Sequence, residues 1–345
     1  MDLDFSSEVV YNTITIISLL YIGETMKIIK FLTLALLTLS AHAWEPSKPI
    51  KVIISSTPGT GNELSFRPLS NIVSKNNPNV SFILEFKPGA DGVIGSNIFS
   101  NSEPDGYTIS LPSLQGQFVT GEIWYKDTIN FNPMEWELVT IMAKSPLCII
   151  ATATSKVNTV PELLNTIKNP NSDINFAVGG GAHKIAYNFM LEKTNNTSNK
   201  LRAISYKGPA PAALSVASGV TEFGIVPVTV ARPLIESGKV KLIALTGEQQ
   251  LEGLPKTALM KDYIPNMNVY AGWVIALPKN TPKDIVEWYE KNFISAIKSK
   301  EAQRFFEENL MFVDTSELGS KGTRASILKL RAQWQPIVKN MQLDN

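Results

Sequence analysis

Ile50-Lys51-Val52-Ile53-Ile54-Ser55-Ser56-Thr57-Pro58-Gly59-Thr60-Gly61-Asn62-Glu63-Leu64 decides the fold. A run rich in β-branched residues ends in a Pro/Gly turn. The turn feeds a segment with Leu64, Pro68, Leu69, Ile72 and Val73 at helical spacing. The pattern predicts a buried strand, a tight loop and a helix start. Such a loop directs free backbone N–H groups at one spot, and the helix dipole adds partial positive charge there. Small anions and carboxylates bind well at such places. An ordinary strand-to-helix connection carries the same pattern, so the weight comes from repetition. Gly179-Gly180-Gly181 follows the strand-like run Ile174 to Val178 in the same way.

Outward from the first loop, strands alternate with helices. Val80 to Phe86 reads as a strand, and Val93 to Phe99 as a short helix with Ile94 and Ile98 on one face. Pro104-Asp105-Gly106-Tyr107 has turn chemistry, and Thr108 to Leu111 is a third strand. Lys144-Ser145-Pro146 interrupts the next apolar run, so Leu147 to Ala151 reads as a fresh strand and a first crossover. Pro161 and Glu162 open a helix. Further strands are expected at Leu201 to Ser205, Glu222 to Val226 and Val240 to Thr246. Tyr270 to Leu277 returns as a second crossover, and from Thr281 only helices follow. This alternation predicts an α/β chain of two lobes, each a mostly parallel sheet flanked by helices. The expected lobes are 44–146 with 271–345, and 147–270. Ligands of such sheets sit outside the carboxyl ends of the strands.

The first 43 residues are read apart. Lys27 and Lys30, the apolar run Ile28 to Leu39, and Ala41-His42-Ala43 form the three parts of a secretory signal peptide. Met26 is then the expected initiator, with residues 1–25 an over-extended start. Gly23-Glu24 is compatible with a purine-rich ribosome-binding site, which the nucleotide sequence would test. The mature chain is expected to begin near Trp44 and to be soluble outside the inner membrane, since no later stretch nears the ~20 apolar residues of a span. About 300 residues then exceed one comfortable core, which favours two domains. The formal net charge is +1 and the basic residues are scattered, giving no argument for nucleic acid. The single cysteine, Cys148, lies in an apolar run and reads as a buried, inert thiol. No Cys/His pair, metal-ligand spacing or nucleotide-binding loop supports catalysis or a cofactor, so none is expected.

The order and spacing of several motifs resemble one family. Trp44-Glu45-Pro46-Ser47-Lys48-Pro49-Ile50 is similar to its mature start. Lys87-Pro88-Gly89-Ala90-Asp91-Gly92 resembles its R-P-G-A-G-G, and Pro104-Asp105-Gly106-Tyr107-Thr108 its P-D-G-Y-T. Tyr206-Lys207-Gly208 with Pro211 and Gly219, then Gly238-Lys239-Val240 and Asn280-Thr281-Pro282, continue the match. The chain resembles the substrate-binding receptors of tripartite tricarboxylate transporters, the TctC or Bug type. The resemblance implies a two-lobed type II periplasmic-binding fold and a periplasmic, monomeric receptor. Such a receptor captures a small carboxylate between its lobes and delivers it to membrane subunits. A signalling-only sensor and an enzyme on the same fold are the alternatives.

Carried over by position, one binding loop is Thr57, Pro58, Gly59, Thr60, Gly61 and Asn62. The other is Gly179, Gly180, Gly181, Ala182 and His183. These are the two loops the residue pattern selects. Ser113 and Gln115, after the third strand, are candidates for the distal end of the ligand. His183 would donate to a carboxylate, with binding strengthened below about pH 6.5. Lys184 and Lys207 read as surface or helix-start residues, Trp273 as a packing residue and Arg67 as structural. The chain departs from the family's P-P-G-G-x-x-D, since Thr60 replaces the second glycine and Glu63 the aspartate.

Overall fold

The computed structural model describes residues 44–195, 201–248 and 250–339. The expected start at Met26, the signal segment and its cleavage site lie outside the described residues. In chain order the elements begin β1 (Ile50–Ile54), α1 (Gly61–Asn76), β2 (Phe82–Phe86), α2 (Val93–Ser100) and β3 (Thr108–Ser110). A π-helical turn over Gly116–Thr120 leads into the short α3 (Gly121–Trp124) and the long β4 (Glu137–Thr152). Then come α4 (Val160–Lys168), β5 (Ile174–Val178), α5 (Gly181–Lys193), β6 (Leu201–Ser205) and α6 (Pro209–Ala217). The chain continues with β7 (Phe223–Pro227), α7 (Val228–Glu236), β8 (Val240–Leu245), β9 (Ala258–Leu259) and β10 (Tyr270–Leu277). It closes with α8 (Lys283–Lys298), α9 (Lys300–Glu308) and α10 (Gly319–Val338).

The strand order is β2-β1-β3-β10-β4-β7-β5-β6, with β8 also on β4 and β9 on β8. Pairs within the two wings are parallel: β1 with β2 and β3, and β5 with β6 and β7. Antiparallel pairs gather at β4 and β10. The architecture is therefore α/β, a mixed sheet in two mostly parallel halves.

β4 corrects the expected interruption at Lys144-Ser145-Pro146. The strand runs unbroken through all three residues. Pro146 is tolerated because it sits opposite Tyr270, the first residue of β10, where that ladder ends. From Leu147 the strand pairs with β7 instead, and from Cys148 with β8. Lys144 also exchanges both backbone hydrogen bonds with Phe312, at 2.9 Å each.

In α2, Ile94 and Ile98 share one face, as expected. The face carrying Ile94 and Ile98 is the exposed one, at 49% and 45% accessibility. Val93, Gly95, Ser96 and Phe99 are buried instead. Close approach decides this. A Cβ on Gly95 would lie 2.7 Å from Ser55 Oγ, so this face is drawn onto the end of β1. Cys148 is fully buried in the second half and its thiol pKa is raised by burial, as the sequence suggests.

Candidate functional site

The loops after β1, β2, β3, β5 and β6 converge on a cavity of about 250 Å³. Three helices start at its wall: α1 behind Thr60, α5 behind Gly180 and α6 behind Gly208. None has a side-chain cap on its first-turn amides. Elsewhere, α4 closes its start with a full capping box between Thr159 and Glu162. First-turn N–H groups have no partner within their own helix, so those of α1 and α5 remain suited to an anion.

Of the first loop, Thr60, Gly61 and Asn62 line the cavity, while Thr57, Pro58 and Gly59 do not. Pro58 and Gly59 turn outward and are exposed. Gly59 adopts φ +77°, and its N–H donates to Glu63 Oε2 at 2.7 Å. Glu63 in turn accepts from Arg67 Nε at 2.6 Å, which gives Arg67 its structural role. The amide at Gly59 is thus committed within the protein. Thr57 lies against the other wing: a Cβ on Gly208 would meet Thr57 Oγ1 at 2.8 Å. Asn62 donates from Nδ2 to the Leu111 carbonyl at 2.6 Å, tying the loop to the end of β3.

All five residues of the second loop, Gly179 to His183, line the cavity. Two of its glycines are required by backbone contact. A Cβ on Gly179 would lie 2.3 Å from the Gly208 carbonyl oxygen, and one on Gly181 3.1 Å from Gly116 Cα. His183 is buried, and its Nδ1 accepts from the Gly179 N–H at 3.0 Å. Burial, reinforced by the neighbouring Lys184 charge, pushes its pKa down to about 3. The ring is therefore neutral, with its proton on Nε2. The expected strengthening of binding below pH 6.5 has no charged imidazole to support it.

Ser113 and Gln115 both line the cavity, but Ser113 is already occupied. Its hydroxyl donates to Gln117 Oε1 at 3.1 Å and accepts from the Gly116 N–H at 3.0 Å. Gln115 is buried, with no partner for Oε1 among the described residues.

The sequence reading missed the loop after β2 and its contacts. Ala90 and Asp91 both hold left-handed backbone, at φ 46° and 51°. This strained pair is braced by Gln117 Nε2, which donates to the Asp91 carbonyl at 2.9 Å. Tyr125 OH donates to Asp91 Oδ2 at 3.0 Å. Lys184, read as a helix-start surface residue, is buried and donates to the same oxygen at 3.0 Å. Lys207 is exposed at the cavity's edge. Trp273 is both packed and cavity-lining, with its ring where a Gly61 Cβ would fall. The one available signal for Asp91 was its place in Lys87-Pro88-Gly89-Ala90-Asp91-Gly92, where the resembled motif has glycine.

The chain is similar to known proteins over most of its length. The chain is 24% identical to Protein BugT of Bordetella pertussis (strain Tohama I) over 264 residues, covering 74% of this chain and 78% of that one. The solved periplasmic binding protein BugD is 25% identical, with a TM-score of 0.78, covering 86% of this chain and 98% of BugD. MatC from Rhodopseudomonas palustris, solved with bound malate, shares the fold at 15% identity and a TM-score of 0.78, over 85% of this chain and 100% of MatC. The fold is the two-lobed architecture of these periplasmic binding proteins. The family model described as tripartite tricarboxylate transporter family receptor matches residues 66–343, and the chain belongs to that family.

Proposed function

We propose that the cavity captures a small carboxylate and that the closed, loaded receptor is presented to the membrane subunits of a tripartite transporter. The observation that carries this reading is the convergence of the uncapped α1 and α5 starts on one cavity. One helix comes from each half of the sheet, so only a closed protein brings both sets of amides to one ligand. Closure is then favoured by differential binding, with the open form lacking half the contacts. The lobes are assigned as 44–146 with 271–345, and 147–270, meeting where β4 changes partner. The malate in MatC supports a carboxylate of this size. The proposed receptor is periplasmic and monomeric, and the family match supports the periplasmic part; no described helix is long and apolar enough to cross a membrane.

The test is a thermal-shift panel on protein beginning at Trp44, unfolded and refolded to strip bound ligand. Mono-, di- and tricarboxylates are compared with sugars and amines. A ligand at a hundred times its dissociation constant adds ~2.7 kcal/mol of stability. A shift confined to carboxylates is expected. Shifts with sugars or amines alone would overturn the reading.

A further inference from the structure

We infer that Asp91 and Lys184 form a charge pair across the cleft that sets the receptor for a ligand with one carboxylate and a neutral polar far end. This deepens the proposed function and rests on it. The two residues belong to opposite halves of the sheet: Asp91 follows β2, and Lys184 stands in the first turn of α5. Their side chains are each only 9% exposed and meet at 3.0 Å. Tyr125 donates to the same carboxylate oxygen, and Lys184 also lies 5.6 Å from the Trp124 ring centroid.

The charged side chains lining the cavity are Asp91, Lys184 and Lys207. Asp91 cancels Lys184, leaving exposed Lys207 at the edge. The helix starts supply donors for one carboxylate. A second carboxylate would call for Lys184, which is already held. The other polar side chains that line the cavity, Ser113 and Gln115 among them, are neutral.

The test is isothermal titration of wild type, Asp91→Asn and Lys184→Met with glycerate, gluconate, malate, succinate and citrate. Asparagine tolerates the left-handed backbone at this position. Circular dichroism checks the fold of each variant, and Asp91→Gly replaces Asp91→Asn if the latter does not fold. Wild type is expected to favour the monocarboxylates. Asp91→Asn releases Lys184 and is expected to improve dicarboxylate affinity about tenfold, the scale of one charge-assisted hydrogen bond. The readout is the mono-to-dicarboxylate affinity ratio, which should fall about tenfold on the same scale. Lys184→Met leaves Asp91 uncompensated and should weaken every carboxylate. Carboxylate binding with an unchanged mono-to-dicarboxylate ratio in Asp91→Asn would overturn the pairing alone. A wild type that favours dicarboxylates would do the same. A wild type that binds no carboxylate would overturn the proposed function as well.

Discussion

The loops after β1 and β5 present helix starts to the same cavity but are built by different means. The first is braced by side chains. Ser56 and Thr60 hydroxyls lie 2.6 Å apart, Asn62 reaches the β3 terminus, and Glu63 holds the Gly59 amide. The second is shaped by the absence of side chains. Gly179 and Gly181 let the backbone press against Gly208 and Gly116, and one neutral imidazole holds the Gly179 amide. The difference teaches that a side-chain brace tolerates exchange of its parts, as the Thr60 and Glu63 departures show. A steric fit has no such freedom.

The comparison breaks most readily at Gly179. Gly179→Ala places a Cβ against fixed backbone of Gly208 and Pro209. A cost of about 3 kcal/mol is expected in urea denaturation, as for other overpacked sites. A change under about 1 kcal/mol on that scale would mean the two loops are equally adaptable.

His183 sharpens the comparison through pH. Its folded pKa, about 3, lies below the ordinary value of 6.5. On acidification the unfolded chain takes up the proton first. The contribution is thus fully present above pH 6.5 and is lost as pH falls from there towards 3. The slope is up to ~1.4 kcal/mol per pH unit, so about 2 kcal/mol is lost between pH 6.5 and about pH 5. His183→Asn keeps an acceptor for Gly179 and should flatten this slope. Denaturation of both proteins across the pH range checks it, and parallel curves would remove His183 from the account.

The smallest effect belongs to the braced loop. Glu63→Ala removes the acceptor for Gly59, but this hydrogen bond is only part-buried and Gly59 is an exposed residue. Arg67 is more than half exposed, so its ion pair adds little. A loss of about 1 kcal/mol is expected by thermal melting. A loss as large as that of Gly179→Ala would erase the distinction.

Much of this was legible in the sequence because its signals are local. β-Branched runs, glycine turns and helical spacing located β1, α1, β5 and α5, and they selected both cavity loops. Local signals failed where distant backbone decides. The spacing of Ile94 and Ile98 puts them on one face but does not tell whether that face is buried; Gly95 against Ser55 turns it outward. Pro146 reads as a strand breaker until Tyr270 is known to lie opposite it. The Asp91–Lys184 contact spans 93 residues, and neither side chain shows from its neighbours that it is buried. The segment 116–124 carries glycine at both Gly116 and Gly121, which hid its helical turns.

The continuity of β4 also governs assembly. β10 is inserted between β3 and β4, and its partner residues on β4 lie more than a hundred positions earlier, as with Tyr270 and Pro146. A nascent chain that ends before residue 270 leaves the 137–146 edge of β4 unpaired, and that edge is almost wholly buried in the finished fold. Such an edge invites intermolecular strand pairing, and contacts this distant slow the search for the native topology. The strand that joins the two halves is thus also the segment in greatest need of protection until synthesis is nearly complete.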